Sequence, residues 1–220
     1  MELVTTLLCG TPGRMCKSEV VPSIRRYQTS DRSAVAAICL KTGNAGSDAT
    51  GIHPSDDLLA DTYALPYVDL EPEIAFVVAE RDAVCGYLVA TADTRGFVER
   101  YRSEIVPVLA EKYESLATQP GAHLVGVALD PDRMMIPEVD DYPAHMHIDL
   151  LPAVQGRGFG RMLIRALLAD LRDRGIPGVH LGVGASNTGA RAFYHRLGFR
   201  PLPSAGGSGS LLGLRTDSIV

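Results

Sequence analysis

The chain has 220 residues, 46% hydrophobic and 21% charged, with a net charge of −5. Such a composition suits a globular protein with a sizeable core and excludes a collagen-like repeat, a low-complexity polymer and a highly charged disordered chain. The negative balance argues against a nucleic-acid partner. The charge is uneven: residues 1–143 carry 12 basic and 22 acidic side chains, residues 144–220 carry 9 and 4. An anionic ligand is therefore better received by the last third.

Residues 1–22 show no sustained period and are broken by Gly10, Pro12, Gly13 and Pro22. They read as a poorly ordered leader before one domain over 23–220. The opening residues lack a basic n-region, so they do not read as a signal peptide. No apolar run approaches the ~20 residues that span a bilayer, and no membrane partner is expected. Cys9, Cys16, Cys39 and Cys85 form no CxxC pair, which points to the cytoplasm rather than a disulfide scaffold. Cys39 and Cys85 lie in apolar runs and read as core thiols.

Residues 23–27 read as a strand, and the Thr29-Ser30-Asp31 cap predicts a helix over 31–41. A Gly/Asn/Asp/Ser loop over 42–51 follows, then a helix over 54–64. Two β-rich runs, 74–79 and 84–92, flank a hairpin turn at 80–82. Helical spacing returns over 97–117, interrupted at Pro107, and 123–129 suits either a strand or a buried helix. A strand over 146–151 leads into a glycine-rich turn and a helix over about 159–174, with Leu163, Leu167 and Leu171 on one stripe. A strand at 179–183, a helix capped by Asn187 and ending near Gly198, a Gly/Ser turn over 204–210 and a strand at 211–214 complete an α+β pattern.

The sharpest feature is the turn Gln155-Gly156-Arg157-Gly158-Phe159-Gly160-Arg161 between strand and helix. Glycines permit positive φ and close approach of a ligand, and a helix start offers unpaired N–H groups that favour anions. Arg157 and Arg161 add full charge, so the segment reads as a pyrophosphate cradle. No GK pair makes it a P-loop, and no Asp or Glu lies between Arg174 and Arg215 to serve as the ribose-binding acid of a dinucleotide fold.

The turn resembles the Q/R-x-x-G-x-G/A signature of the GNAT acetyltransferase superfamily. Asn187-Thr188-Gly189-Ala190-Arg191-Ala192-Phe193-Tyr194-His195-Arg196-Leu197-Gly198-Phe199 resembles its later N-x-x-A-x-x-F-Y-x-x-x-G-F element. The resemblance implies an α/β/α layered fold around a mixed, mostly antiparallel twisted sheet, splayed at the cofactor site. It also implies acetyl-CoA as co-substrate. Ile148, Leu150 and Leu151 would pair with the pantetheine arm, and Gln155, Gly156, Arg157, Gly158, Phe159, Gly160 and Arg161 would hold the pyrophosphate. Asn187, Ala190 and Phe193 would contact the cofactor, Phe193 also packing in the core, and Tyr194 would protonate the CoA sulfur. Segments 39–51 and 85–87 further resemble the acetyltransferase-like C-terminal domain of O-GlcNAcase, a branch with degenerate cofactor motifs.

The implied activity is acetyl transfer to an amine by direct attack on the thioester. A non-catalytic acetyl-CoA- or peptide-binding module is the alternative. A base must deprotonate the amine. His145, His147 and Asp149 alternate onto one strand face, and His147 or Asp149 is the expected base. Family members often carry the base on the opposite parity, here Ala144 and Met146, and a β-bulge could switch the two. Loop 42–51 is a candidate cover for the acceptor site. The His-x-His pair on one strand is too weak a pattern to predict a metal. The acceptor, an amine or peptide, and the choice between monomer and homodimer are left open by the residues.

Overall fold

The computed structural model describes residues 22–208 and 210–220; almost all of the expected leader lies outside them. Seven strands form one sheet: β1 (Ser23–Arg26), β2 (Phe76–Glu80), β3 (Ala83–Thr91), β4 (Ala144–Leu150), β5 (Gly178–Gly182), β6 (Arg200–Pro201) and β7 (Leu211–Arg215). Their spatial order is β1-β2-β3-β4-β5-β7-β6. Every neighbouring pair is antiparallel except β4 with β5.

The period of two along the strands sends alternate side chains into two cores. Val77, Tyr87 and Val89 join one core with α1 (Arg32–Thr42), α2 (Leu58–Tyr63), α3 (Leu65–Leu70), α4 (Thr94–Arg100), α5 (Val106–Tyr113) and α6 (His123–Leu129). Phe76, Val78, Leu88, Ala144 and Met146 join the other with α7 (Phe159–Asp173) and α8 (Thr188–Arg196). The layered α/β/α expectation holds.

Several expected boundaries move. The helix expected over 54–64 is only Leu58–Tyr63, and α3 follows it after a break at Ala64, where φ is −130° and ψ −53°. Residues 123–129 are helix rather than strand. The helical stretch expected from 97 starts at Thr94, and Asp93 caps it through the Arg95 N–H. Between α4 and α5 the chain widens into a π turn, Tyr101–Ile105, just before Pro107. Proline has no N–H and its ring crowds the carbonyl four residues back, so the wider turn keeps the helix continuous.

Two features of the sheet position the site. The register of β3 on β4 is unbroken from Gly86↔Leu150 to Thr91↔His145, so the bulge that would swap parity is not in β4; the one irregularity lies between Val78 and Ala79 of β2. The parallel pairing of β4 with β5 covers only Ala144↔Val179 and His145↔His180. Beyond His145 the two strands part, and the rest of β4 has a free edge. No helix among the described residues is long and apolar enough to cross a membrane.

Candidate functional site

Where β4 and β5 separate, two clefts meet. The first, about 820 Å³, runs between the β4 end, the glycine turn and α8. Of the expected cofactor residues, Ile148, Leu150, Gln155, Gly156, Gly158, Gly160, Arg161, Asn187, Ala190 and Phe193 line it, as does Tyr194. Leu151, Arg157 and Phe159 do not. Phe159 is buried in the α7 core, the Arg157 guanidinium stacks on its ring at 5.6 Å, and Leu151 packs against the opposite core. Phe193 is half-buried: it packs against the α7 core, as expected, and also walls the cleft.

The glycine turn is built as its residues require. Gly158 stands before the first helical residue with φ +88°, a backbone state other residues reach only at a cost of about 1–2 kcal/mol. Gly160 has a different reason: a Cβ there would lie 2.9 Å from Phe193 Cζ, so a larger residue would push the Phe193 ring off its present place on the cleft wall. The Gln155 side chain donates back to the Leu150 carbonyl at 2.8 Å and braces the turn against β4. The first helical bond of α7 runs from Met162 N–H to Gly158 C=O at 3.1 Å. Among the described residues, the six N–H groups from Gly156 to Arg161 have no protein acceptor. Four of these residues, Gly156, Gly158, Gly160 and Arg161, line the cleft, and free donors at the positive end of a helix beside an arginine favour an anion.

The second cleft, about 660 Å³, opens on the other side of the splay and is walled by Tyr63, Tyr67, Arg133, His147 and His180. Thr42, Ala45, Gly46, Asp149, Ser186 and Asn187 line both clefts, so loop 42–51 and Asp149 stand at their junction. Tyr87 Oη donates to Asp149 Oδ2 at 2.5 Å. Burial raises the Asp149 pKa above the usual carboxylate range, although the Tyr87 and Thr42 hydroxyls pull it down. Tyr194 is buried, and desolvation with the nearby Asp149 charge pushes its phenol upward, keeping it protonated.

His147 is held by a directional chain that the sequence did not show. Thr94 Oγ1 lies 2.7 Å from the Pro143 carbonyl, which requires the hydroxyl proton between them. Toward His145 Nδ1, also at 2.7 Å, Thr94 therefore accepts. His145 Nε2 is then an acceptor and takes the Tyr67 hydroxyl proton at 2.7 Å. Tyr67 in turn accepts from His147 Nε2–H at 3.1 Å. This leaves the Nδ1 lone pair of His147 without a partner among the described residues. Burial is the main cause that lowers the pKa of His145, His147 and His180, with the Arg133 charge adding to it at the first two. Both ring nitrogens of His145 are engaged, so it is no free metal ligand, and no group of three potential ligands occurs among the described residues. Cys39 is buried, its thiol pushed up to about 12, and inert. Cys85 is partly buried and packs at the margin of the α7 core.

These neutral histidines have a stability consequence. His145 and His180 are 5% and 4% exposed and titrate far more readily in the unfolded chain. Folded pKa values below the unfolded value of about 6.5 mean that stability is complete above that pH and is lost as pH falls through it, by up to about 1.4 kcal/mol per pH unit for each histidine. Urea midpoints at pH 7.5, 6.5 and 5.5 check this. The midpoint should drop before carboxylates titrate, and His145→Gln should flatten the slope; an unchanged midpoint across that range would contradict the burial of both rings.

Known proteins share this architecture. The crystal structure of SsHAT superposes with a TM-score of 0.82 at 42% identity, covering 90% of this chain and 99% of that one. The structure of yncA from Salmonella typhimurium, solved with its cofactor acetyl-CoA, has a TM-score of 0.51 at 16% identity over 90% of this chain and 96% of that one, a likeness of fold. Protein O-GlcNAcase of Rattus norvegicus is 23% identical over 198 residues, 85% of this chain; the chain spans only 21% of that protein's length. The model of the acetyltransferase (GNAT) family matches residues 47–199, from the junction loop through the glycine turn to the end of the α8 motif. With strand splay, turn and helix cap all in the expected places, the chain belongs to the GNAT acetyltransferase family.

Proposed function

We propose that this chain transfers the acetyl group of acetyl-CoA to an amine. The observation that carries the reading is the glycine turn with its N–H groups free of protein acceptors among the described residues, of which Gly156, Gly158, Gly160 and Arg161 line the cleft that ends at Asp149. Those amides with Arg161 would hold the pyrophosphate; the free edge of β4 at Ile148 and Leu150 would order the pantetheine arm; Asn187, Ala190 and Phe193 would flank it. Acetyl-CoA, when bound, supplies an activated acyl carbon and a thiolate leaving group.

The residues then divide by side. Asp149, at the junction, accepts the proton of the entering ammonium; its raised pKa makes it a stronger base than an ordinary carboxylate. His147, on the acceptor side alone, offers Nδ1 to orient the amine N–H. Tyr194, on the cofactor side alone, holds the proton that the departing sulfur needs. An acid and a base on opposite sides of one junction favour an enzyme over a binding module.

Calorimetry with acetyl-CoA, followed by detection of released thiol with an amine panel, tests the reading; absence of acetyl-CoA binding would end it. Tyr194→Phe separates binding from chemistry. The affinity for acetyl-CoA should stay within about twofold, while kcat falls by about 100-fold, near the lower end for a lost general acid because a thiolate leaves readily. Equal kcat values would remove Tyr194 from the reaction.

A further inference from the structure

We propose that the acceptor is an amine that also carries a carboxylate, an amino-acid-like molecule, and that Arg133 binds that carboxylate. The proposal rests on the transferase reading above and specifies its second substrate.

Arg133 lies in a 3-10 turn, Pro131–Met134, directly after α6, and its side chain walls the second cleft together with His147 and Asp149. The guanidinium is anchored by neutral groups only. Nε donates to the Val127 carbonyl at 2.7 Å and Nη2 to the Thr62 carbonyl at 3.3 Å, while the Tyr63 ring lies 5.3 Å from Cζ and the Tyr101 hydroxyl is also within reach. Among the described residues no carboxylate pairs with it. Most described arginines of the same half differ: Arg25, Arg26, Arg32, Arg95, Arg100 and Arg102 each have a carboxylate partner, and Arg81, which has none, is exposed in the β2–β3 turn. A half-buried guanidinium, fixed in place and unpaired in an acid-rich region, is a preformed anion site.

The rest of the cleft has the matching charge pattern. His145, His147 and His180 are held neutral, and Asp149 is the only carboxylate among the lining residues. One fixed cation and one carboxylate face a zwitterion with opposite signs: the ammonium goes to Asp149 at the junction, the carboxylate to Arg133 on the wall. A diamine or a lysine-rich peptide would set a second positive charge beside Arg133 with nothing to neutralise it. The volume, about 660 Å³, suits a small molecule. The acidic composition of the first half therefore does not describe the cleft itself.

The test uses the whole chain and three matched acceptor series: ω-amino acids, alkylamines of the same length and diamines of the same length. Thiol release should be fastest in kcat/KM for an amino acid. Arg133→Gln should raise its KM by about 10- to 100-fold and collapse the preference over the matching alkylamine, and Arg133→Lys should restore part of it. A wild-type preference for alkylamines or diamines overturns the proposal, and this arm needs no variant. If acetyl-CoA binds and no amine is acetylated, the transferase reading fails by itself; the anion site is then decided by saturation-transfer NMR of the amino acids with CoA present. Binding lost in Arg133→Gln upholds the site, and no binding, or binding indifferent to the substitution, overturns it.

Discussion

Gly158→Asp is expected to weaken acetyl-CoA binding by at least about 100-fold while leaving the protein folded. Three effects combine. The carboxylate would stand where the pyrophosphate is held, and two like charges about 4 Å apart repel by about 4 kcal/mol at the effective dielectric of a protein surface. The new side chain would occupy the N-cap of α7, where it can accept from the same free amides that the ligand needs. The residue must also adopt φ +88°, which aspartate tolerates better than most residues. A Cβ at this position meets no atom within 4 Å, so the substitution does not collide with the protein.

Two measurements keep the prediction interpretable. The melting temperature should move little, because strain at the turn is offset by the new cap. Gly158→Asn, with the same shape and no charge, should lose about tenfold, which isolates the part due to occupying the amides. If Gly158→Asp bound acetyl-CoA as tightly as the unaltered chain, the row of N–H groups would not be the pyrophosphate site.

The glycine turn, α7 and α8 were legible in the sequence because their determinants are local. A positive φ needs glycine, the Asn187 side chain accepts from Ala190 N–H three residues on, and the stripe Leu163, Leu167 and Leu171 has a helical period. The first half lacks such signals. In α3, Leu65, Pro66, Tyr67, Val68 and Leu70 are all buried, so no polar face marks it as a helix. Phe193 belongs to an apolar stripe, yet its part of α8 faces the cleft, a distinction that depends on where α8 docks. The acceptor side was the least readable. His147 owes its orientation to Tyr67, far away in the chain, and Arg133 is held between the nearby Val127 carbonyl and the distant Thr62 carbonyl. The alternation of His145, His147 and Asp149 marks His147 as a candidate but not its orientation, and nothing near Arg133 in sequence marks it as part of a site.

Asp149→Asn should move activity and stability in opposite directions. The carboxylate is buried against Tyr87 and its folded pKa is raised, so ionising it costs folding free energy. A carboxyl group raised in the folded state is neutral in both states at low pH; its penalty appears as pH rises from the unfolded value of about 3.9 and is complete above the folded pKa. The asparagine variant carries no such penalty and can still accept from Tyr87 Oη. It should therefore melt above the wild type at pH 7 to 8, with the gap closing toward pH 4. Loss of a positioned base should at the same time lower kcat/KM by about 10³-fold, with acetyl-CoA affinity nearly unchanged. The wild-type kcat/KM should climb with pH as Asp149 ionises, and the variant should lack that limb. A residue with only a packing role would change stability without changing the pH–rate profile. A stabilised variant that retained kcat/KM within about threefold would pass the base to His147, whose Nδ1 is the remaining open acceptor on that side of the junction.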